Sequence, residues 1–213
     1  MKILVTAGAT QTPIDQVRAI TNIFKGKTGA RIAQQLNEEG HGVTLLTSNP
    51  EGLVDTETFR VSKYRTFDEL AASMEFMIRR YDFDVIIHSA AVSDYRVARV
   101  LGEDLQPVNS SKKISGSHDK LFLEMVPTYK IVDKIRSEWG FKGILVKFKL
   151  QVGISDEELL AIARKSRATS DADLIIANCL EWAKEYAYVV DRAGNAEKVT
   201  RDGIGPAISR RLG

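Results

Sequence analysis

The chain has 213 residues, of which 44% are hydrophobic and 27% are charged, so its length and composition suit one α/β domain. Thirty basic and 28 acidic residues leave a formal net charge of +2, which is too balanced to indicate a nucleic-acid or membrane partner. The single cysteine, Cys179, excludes an internal disulfide framework, and no apolar run approaches the roughly 20 residues of a membrane span. Because no signal-peptide pattern follows Met1, we expect a cytoplasmic protein.

Five short apolar runs predict buried strands, at residues 3–6, 43–47, 84–88, 144–148 and 174–177. Continuous apolar runs of this length suit parallel strands that are covered on both faces. Two sets of apolar residues between them have helical spacing: Leu70, Met74 and Met77, and then Ile131, Ile135 and Trp139. Ser155 and Glu158 have the spacing of a capping box at the start of a further helix. Strands that alternate with helices predict a three-layer, Rossmann-like α/β sandwich with a mainly parallel sheet.

Residues 96–120 break this alternation, because they mix Gly, Pro, Ser, Asn and charged residues without a regular period. Loops this long in a compact domain are often lids, so we expect a mobile lid loop here. Leu121 and Leu123 alternate after it as in a strand. Residues 186–191 and 198–200 predict a C-terminal β appendage, closed by a short helix from Ile204. No repeat or linker divides the chain, so we expect a single domain over residues 1–213.

Ligands in open parallel sheets bind beyond the carboxyl ends of the strands, so the residues that follow each strand are the first candidates for a site. Small residues follow the first and third predicted strands, and Asp94 comes directly after the small residues of the third strand. Gly26 and Gly29 precede a helical run, where free N–H groups would suit a phosphate. Neither a Walker A sequence nor a full dinucleotide fingerprint is present, so this spacing favours a phosphate site and a plain turn about equally.

Four blocks of the sequence, in order, carry a resemblance to one family. They are MKILVTAGATQTPIDQVRAITN; HSAAVSDY; KISG with LFLEMVPTYKI; and LVKFKLQVGISDEELLAIARKS with DADLIIANCL. These blocks resemble the motifs of stand-alone phosphopantothenate–cysteine ligases, and together they cover nearly the whole chain. The resemblance implies coenzyme A biosynthesis, in which a nucleoside triphosphate activates the carboxylate of 4′-phosphopantothenate as an acyl-nucleotidylate and releases pyrophosphate. The amine of cysteine then displaces the nucleoside monophosphate.

The resemblance also implies partners and residue roles. It favours CTP over ATP, a homodimer, and Mg²⁺ that is carried by the nucleotide phosphates without a protein metal motif. Asn22 and the lid lysine Lys113 would be catalytic, and Arg18 would reach the phosphate of phosphopantothenate from a neighbouring subunit. The cleft shared by substrate and nucleotide would be lined by Ala90, Ala91 and Asp94. The nucleotide contacts would be Gly8, Gly26, Gly29, Asp94, Lys113, Phe148, Lys165 and Asn178.

The chain departs from the family pattern at several positions. Phe24 and Lys25 stand where the family usually has two serines, and Lys147 stands where bacterial members often have glycine. Ala9 replaces the second glycine of the first loop, and residues 169–170 lack a lysine that bifunctional relatives carry. These departures keep a non-catalytic nucleotide-binding relative as an alternative. An NAD(P)-dependent oxidoreductase is the weaker one, because no acidic residue follows the second strand.

Plain structural roles compete with the functional ones at most of these positions. Asp94 could cap the next segment, and Arg18 and Lys113 could be solvated surface charges. Phe148 should lie partly in the core because an aromatic ring at a strand end has apolar area to bury. For His88 and Cys179 we expect a hydrogen-bonded core histidine and a buried, inert thiol.

Overall fold

The computed structural model describes residues 1–51 and 59–212. Its strands are β1 (Lys2–Ala7), β2 (Gln11–Pro13), β3 (Ala19–Thr21), β4 (Gly42–Thr47), β5 (Arg60–Lys63), β6 (Val85–His88), β7 (Tyr95–Leu101), β8 (Phe122–Pro127), β9 (Ile144–Gln151), β10 (Leu174–Cys179), β11 (Tyr186–Val190) and β12 (Ala196–Thr200). Its helices are α1 (Lys27–Glu38), α2 (Phe67–Arg80), α3 (Ile131–Ser137), α4 (Asp156–Thr169) and α5 (Ile204–Ser209). No helix in these two ranges has the combined length and hydropathy that a membrane crossing requires.

The central sheet has eight strands in the order β12-β11-β10-β9-β6-β1-β4-β5. Six neighbouring strands of this sheet are parallel: β10, β9, β6, β1, β4 and β5. Strands β11 and β12 extend the β10 edge as an antiparallel hairpin. In chain order the six parallel strands run 3-2-1-4-5-6, the order of a Rossmann fold, so the topological switch point lies between β1 and β6. The predicted Rossmann-like sheet and its C-terminal β appendage are therefore confirmed.

Helices cover both faces of this sheet because successive side chains of each buried strand point to opposite sides. One core joins α1 and α5 to one face, with Leu36 and Ile208 among its fully buried members. The other face packs against α2 and α3, with Met74 and Ile135 at its centre. A third cluster, which includes Leu159, joins α4 to β10 and β11. These layers confirm the predicted three-layer sandwich.

Local sequence signals explain the helices that were predicted. The spacing of Leu70 and Met74 places both on the buried face of α2. At α4, the Ser155 hydroxyl accepts a hydrogen bond from the Glu158 N–H, while the Glu158 carboxylate accepts one from the Ser155 N–H. Trp139 lies just beyond the end of α3 and is still buried, so the predicted apolar face continues past the helix.

The segment expected to be irregular begins later than predicted. Residues 95–101 form β7, which pairs with β8 as a two-stranded antiparallel ribbon outside the main sheet. A β-bulge between Val97 and Arg99 shifts the register within β7, and it breaks the two-residue alternation by which a strand is recognised in sequence. The irregular part is residues 102–121, called the 102–121 loop below. The short strands β2, β3 and β5 were also missed, because three or four residues carry too little periodic signal.

Candidate functional site

The loops that follow β1 and β6 lie side by side at the switch point. The Ala91 N–H donates to the Gly8 carbonyl at 2.8 Å, and the Thr10 N–H donates to the Ala91 carbonyl at 3.2 Å. Ala9 and Ala91 form an isolated parallel bridge, which extends the pairing of the two strands into their loops. The N–H of Ala90 donates to the Thr6 hydroxyl at 3.2 Å. Two predicted segments are thus held together where a Rossmann-like sheet binds its ligands.

Three predicted nucleotide-binding glycines form one tightly packed cradle beside these loops. Gly8 and Gly26 have φ of +88° and +77°, which glycine adopts without the steric cost of a side chain. A Cβ on Gly26 would lie 2.3 Å from the Gly8 nitrogen, and a Cβ on Gly29 would lie 2.7 Å from the Ser89 hydroxyl. A side chain at Gly26 would therefore push two backbone segments apart, and Gly8 is favoured as glycine by its positive φ. At Gly29 a Cβ would instead have to displace the side chains of Ser89 and Ala7.

The cradle meets the start of α1. Gly26 is the N-cap residue and supplies no side-chain cap, so no side chain of the described residues caps the first-turn N–H groups. Lys25 and Lys27 flank it with exposed side chains. An uncapped helix N-terminus beside two lysines attracts anions through its N–H groups, its dipole and the two ammonium charges. Phe24 is also exposed, so neither departure from the serine pattern blocks the cradle.

Asn22 reaches the same loops from the end of β3. Its side-chain amide donates to the Ala91 carbonyl at 3.2 Å, and the neighbouring Thr21 hydroxyl donates to the Thr10 carbonyl at 3.1 Å. Because a side-chain amide has two N–H donors, Asn22 keeps a second donor for a ligand. The side chain is exposed at this point. The structure thus places Asn22 in contact with Ala91, on the loop that also contains Ala90.

Asp94 ends the loop after β6 and is held by the segment between β8 and α3. Its carboxylate pairs with the ammonium of Lys130, and its carbonyl accepts from the Thr128 N–H at 2.9 Å. Both side chains of the pair are more than half exposed, so the pair contributes little to stability. The capping role considered for Asp94 is replaced by this ion pair. Sequence reasoning missed Lys130 because the partners are 36 residues apart.

Phe148 and Asn178 lie further along the same edge of the sheet. Phe148 pairs in register with Ile176, and it packs partly against the core on the α1 side, as expected. Asn178, two residues after Ile176, points to that same side of β10 and is half-buried. Strands β9 and β10 are two and three positions from β1, which corresponds to about 10 Å and about 14 Å from the first loop. A ligand that reached both residues from the cradle would have to be extended.

Lys165 is separated from the other predicted residues. It is exposed and lies nine residues after the start of α4, which is about 14 Å along the helix axis. Because α4 returns from the carboxyl edge of β9 to the start of β10, Lys165 lies towards the opposite edge of the sheet. Its predicted contact with the nucleotide gains no support from this position.

Arg18 is engaged with its own motif and with the 102–121 loop. Its Nε atom donates to Asp15 at 2.9 Å, and its Nη2 atom donates both to Asp15 and to the Ile114 carbonyl, the latter at 2.9 Å. The Arg18 guanidinium and three backbone N–H groups hold the pKa of Asp15 well below its usual range. Lys113, the residue before Ile114, is exposed. Arg18 is therefore not a free surface cation.

Lys147 does not lie at the cradle. It is only 7% exposed, and its ammonium donates to the Ser166 carbonyl at 3.0 Å, in the last turn of α4, and to the hydroxyl of the C-cap residue Ser170. Burial lowers the pKa of Lys147 to about 8. On the neighbouring strand, His88 is buried beside the Thr6 hydroxyl at 2.9 Å, which confirms it as a core histidine. Desolvation and then the charge of Lys147 lower the pKa of His88 to about 4.

Further contributors were not found from the sequence. The Ser48 hydroxyl accepts from the Ala9 N–H at 2.9 Å, and the Tyr64 hydroxyl donates to the Ala7 carbonyl at 2.8 Å. Both side chains shape the first loop, and Ser48 could have been found because it directly follows a strand. Cys179 is buried, with its sulfur 3.7 Å from the Ile154 carbonyl. In residues 1–51 and 59–212 no group of three or more His, Cys, Asp or Glu residues could hold a metal ion.

Comparison with known proteins identifies the family. The model of the DNA/pantothenate metabolism flavoprotein C-terminal domain matches residues 1–202. The chain belongs to this family. The coenzyme A biosynthesis bifunctional protein CoaBC of Thermococcus kodakarensis is 36% identical over 182 residues, which are 84% of this chain and 41% of that protein. CoaBC of Escherichia coli is 31% identical over 178 residues, with the same two coverages. The chain thus spans about two fifths of the length of these curated relatives.

Solved structures agree with this assignment. The DNA/pantothenate metabolism flavoprotein from Streptococcus pneumoniae superposes with a TM-score of 0.87 at 32% identity, covering 100% of this chain and 98% of that one. The C-terminal domain of a CoaBC protein has a TM-score of 0.75 at 20% identity, covering 99% and 93% of the two chains. The second likeness shows the fold alone, whereas the first extends a clear sequence similarity over the whole chain.

Proposed function

We propose that this chain is a phosphopantothenate–cysteine ligase, which joins 4′-phosphopantothenate to cysteine and consumes a nucleoside triphosphate. The observation that carries the proposal is the convergence of the three-glycine cradle and Asn22 on the Ala90–Ala91 loop. The family supports it, because the matching relatives are coenzyme A biosynthesis proteins. Fold alone would not support it, since Rossmann-like sheets carry many chemistries.

In the first step a carboxylate oxygen of phosphopantothenate attacks the α-phosphorus of the triphosphate. A new O–P bond forms, pyrophosphate leaves, and an acyl-nucleotidylate results. Negative charge gathers on the phosphoryl oxygens, so donors that already face them lower the barrier. The first-turn N–H groups of α1, the backbone of Gly8, and Lys113 are the donors we assign to these oxygens.

In the second step the amine of cysteine attacks the acyl carbon. The nucleoside monophosphate leaves with the electron pair of the C–O bond, and the amine gives up a proton as the amide forms. The second N–H of Asn22 would donate to the acyl oxygen as it becomes negative, while the first holds the side chain on Ala91. Ala90, Ala91 and Asp94 would line the cleft in which both substrates meet.

The nucleoside end would extend along the sheet edge towards Phe148 and Asn178, on the α1 side. Mg²⁺ would bind the nucleotide phosphates and water, which suits a site whose Asp94 already pairs with Lys130 and whose Asp15 pairs with Arg18. The ion would neutralise phosphate charge. We favour CTP over ATP on the family resemblance.

Two proposals concern the assembly. We propose that the chain acts as one domain over residues 1–213, and that it works as a homodimer. Arg18 would then reach phosphopantothenate in the neighbouring subunit with the part of its guanidinium that Asp15 and Ile114 leave accessible, since its side chain is 42% exposed. Sedimentation at micromolar concentration would test the dimer, and a monomer at saturating substrate would contradict it.

The decisive experiment follows both products of the triphosphate. Protein, phosphopantothenate, cysteine and Mg²⁺ are mixed with CTP or ATP, and the carboxylate of phosphopantothenate carries ¹⁸O. Pyrophosphate release with ¹⁸O in the nucleoside monophosphate is expected, because the first step transfers a carboxylate oxygen to the α-phosphorus. Label in inorganic phosphate would instead indicate an acyl phosphate. Nucleotide binding without any product would favour the non-catalytic alternative.

The role of Asn22 is tested by Asn22→Asp. The new carboxylate would repel the acyl oxygen instead of donating to it, so we expect the loss of about 10²–10³-fold in kcat that follows removal of one such donor. Asn37→Asp, the same change near the far end of α1, is the control and should retain activity. If Asn22→Asp turned over at the rate of this control, Asn22 would not be the acyl donor.

A further inference from the structure

Asp15, in the PIDQVR segment, divides its two carboxylate oxygens between two tasks. Oδ1 accepts from the backbone N–H groups of Val17 and Arg18 at 2.8 and 2.7 Å, which closes the turn between β2 and β3. Oδ2 accepts from the Arg18 guanidinium and from the Ile114 N–H at 3.0 Å. The turn needs only the first oxygen. The second oxygen links the turn to a residue 99 positions away.

Ile114 is the anchored point of the 102–121 loop. It is 2% exposed, whereas Lys112, Lys113, Ser115 and Gly116 around it are all exposed. Both of its backbone groups are taken, because its N–H donates to Asp15 and its carbonyl accepts from Arg18 at 2.9 Å. A peptide held on both sides by a charged pair has little freedom to shift.

The Asp15 carboxylate is itself strongly held. Its side chain has no exposed area, and the carboxylate accepts from the Arg18 guanidinium, the Arg18 N–H, the Val17 N–H and the Ile114 N–H. Taking away one partner of a buried, hydrogen-bonded charge costs far more than breaking an exposed pair. The link to Ile114 is therefore a firm connection between the two segments.

We infer that Asp15 is a positioning residue of the proposed reaction: with Arg18 it fixes the backbone of Ile114 and so sets the place of the adjacent Lys113. The inference rests on the proposed function only for the role of Lys113. The mechanical part, that Asp15 anchors the 102–121 loop, stands on the contacts alone. The PIDQVR segment would then act on the triphosphate as well as on the acyl substrate.

Hydrogen exchange tests the mechanical part without any substrate. In Asp15→Asn the side-chain amide has one oxygen, which can accept from the turn or from Ile114 but not from both. In Asp15→Ser the side chain is too short for its hydroxyl oxygen to reach the loop. We expect the Ile114 amide to exchange at least about tenfold faster in both variants, with β1 and β6 unchanged. Asp119→Asn, at an exposed position in the same loop, is the control. Exchange at Ile114 equal to that control in both variants would overturn the inference.

A double-mutant cycle tests the connection to Lys113. Lys113→Ala should lower kcat/KM for the triphosphate about 10²–10³-fold, as expected when a preorganised charge donor is lost, and Lys112→Ala should not. Asp15→Asn should lower the same ratio at least about tenfold in the wild-type background, but by less than about twofold when Lys113 is already alanine. If Asp15→Asn lowered kcat/KM by the same factor with and without Lys113, the two effects would be independent and Asp15 would not act through Lys113. A rise confined to KM for phosphopantothenate would show that Asp15 orients only Arg18.

The two hypotheses fail in different ways. If the wild-type protein turned over neither nucleotide, the proposed ligase activity would be wrong, but the hydrogen-exchange result for Ile114 would be unaffected. Unchanged exchange in the Asp15 variants would remove the anchor and leave turnover intact.

Discussion

Removal of the buried charge of Lys147 should make the protein more stable at neutral pH. The residue is 7% exposed, and its ammonium lies under the C-terminal end of α4 with the Ser166 carbonyl and the Ser170 hydroxyl as partners. Lys147→Met keeps a similar volume without the charge. The Ser170 hydroxyl still donates to the Ser166 carbonyl at 3.2 Å, so the substitution leaves neither group without a partner.

The pKa of Lys147 sets the magnitude. The pKa of Lys147 is lowered from 10.5 to about 8, mainly by desolvation and in smaller part by the charges of Lys149 and Lys130, while the charge of Asp133 opposes the shift. At about 1.4 kcal/mol per pKa unit, the native state holds the proton roughly 3 kcal/mol less well than the unfolded state. Below pH 8 the charged Lys147 therefore lowers the free energy of unfolding of the wild type by this full amount. The cost declines as pH rises from about 8 to 10.5, where the unfolded chain also loses the proton.

The assay is urea unfolding of wild type and Lys147→Met at several pH values between 7 and 10.5. We expect the variant to be about 1–3 kcal/mol more stable at pH 7, and this advantage to shrink as pH rises. Lys142→Met, at an exposed position, controls for the loss of a positive charge. If the stability advantage did not change with pH, or if the variant were less stable than wild type at pH 7, the buried charge of Lys147 would not be destabilising.

Two further predictions concern His88 and the glycine cradle. Because the pKa of His88 is lowered from 6.5 to about 4, the unfolded state binds the proton first, so stability should be lost as pH falls from 6.5 to 4, by up to roughly 3 kcal/mol. His88→Gln should lack that loss in acid unfolding curves, and an identical pH profile would contradict the assignment. Gly26→Ala should cost about 2–4 kcal/mol and weaken triphosphate binding, because its Cβ would meet the Gly8 nitrogen at 2.3 Å. Gly40→Ala has a similar φ of +88° but open space around it, so it should cost only about 1 kcal/mol; equal melting temperatures for the two variants would show that the cradle is not tightly packed.

The structural features that could be predicted from the sequence are those with a signal confined to a few neighbouring residues. The apolar runs of five of the six parallel strands, the helical spacing of α2 and the capping box of Ser155 were recognised, whereas the short parallel strand β5 was not. The strand β7 was missed, because the bulge at Val97 and Arg99 removes the alternation on which recognition depends. At the site, the loops after β1 and β6 could be placed together in advance, since parallel strands end at one edge of a sheet.

The family, the Rossmann-like sheet and the edge at which a ligand would bind can all be inferred from the sequence alone. These follow from local periodicity and short motifs, which need no knowledge of distant contacts. By contrast, the folded structure is needed to show that Asp94 pairs with Lys130, that Lys147 donates to the last turn of α4, and that Asp15 holds Ile114. Each of these contacts joins residues 19 to 99 positions apart. The partner of a polar side chain at such a distance depends on how the helices and loops pack, and no local pattern encodes that choice.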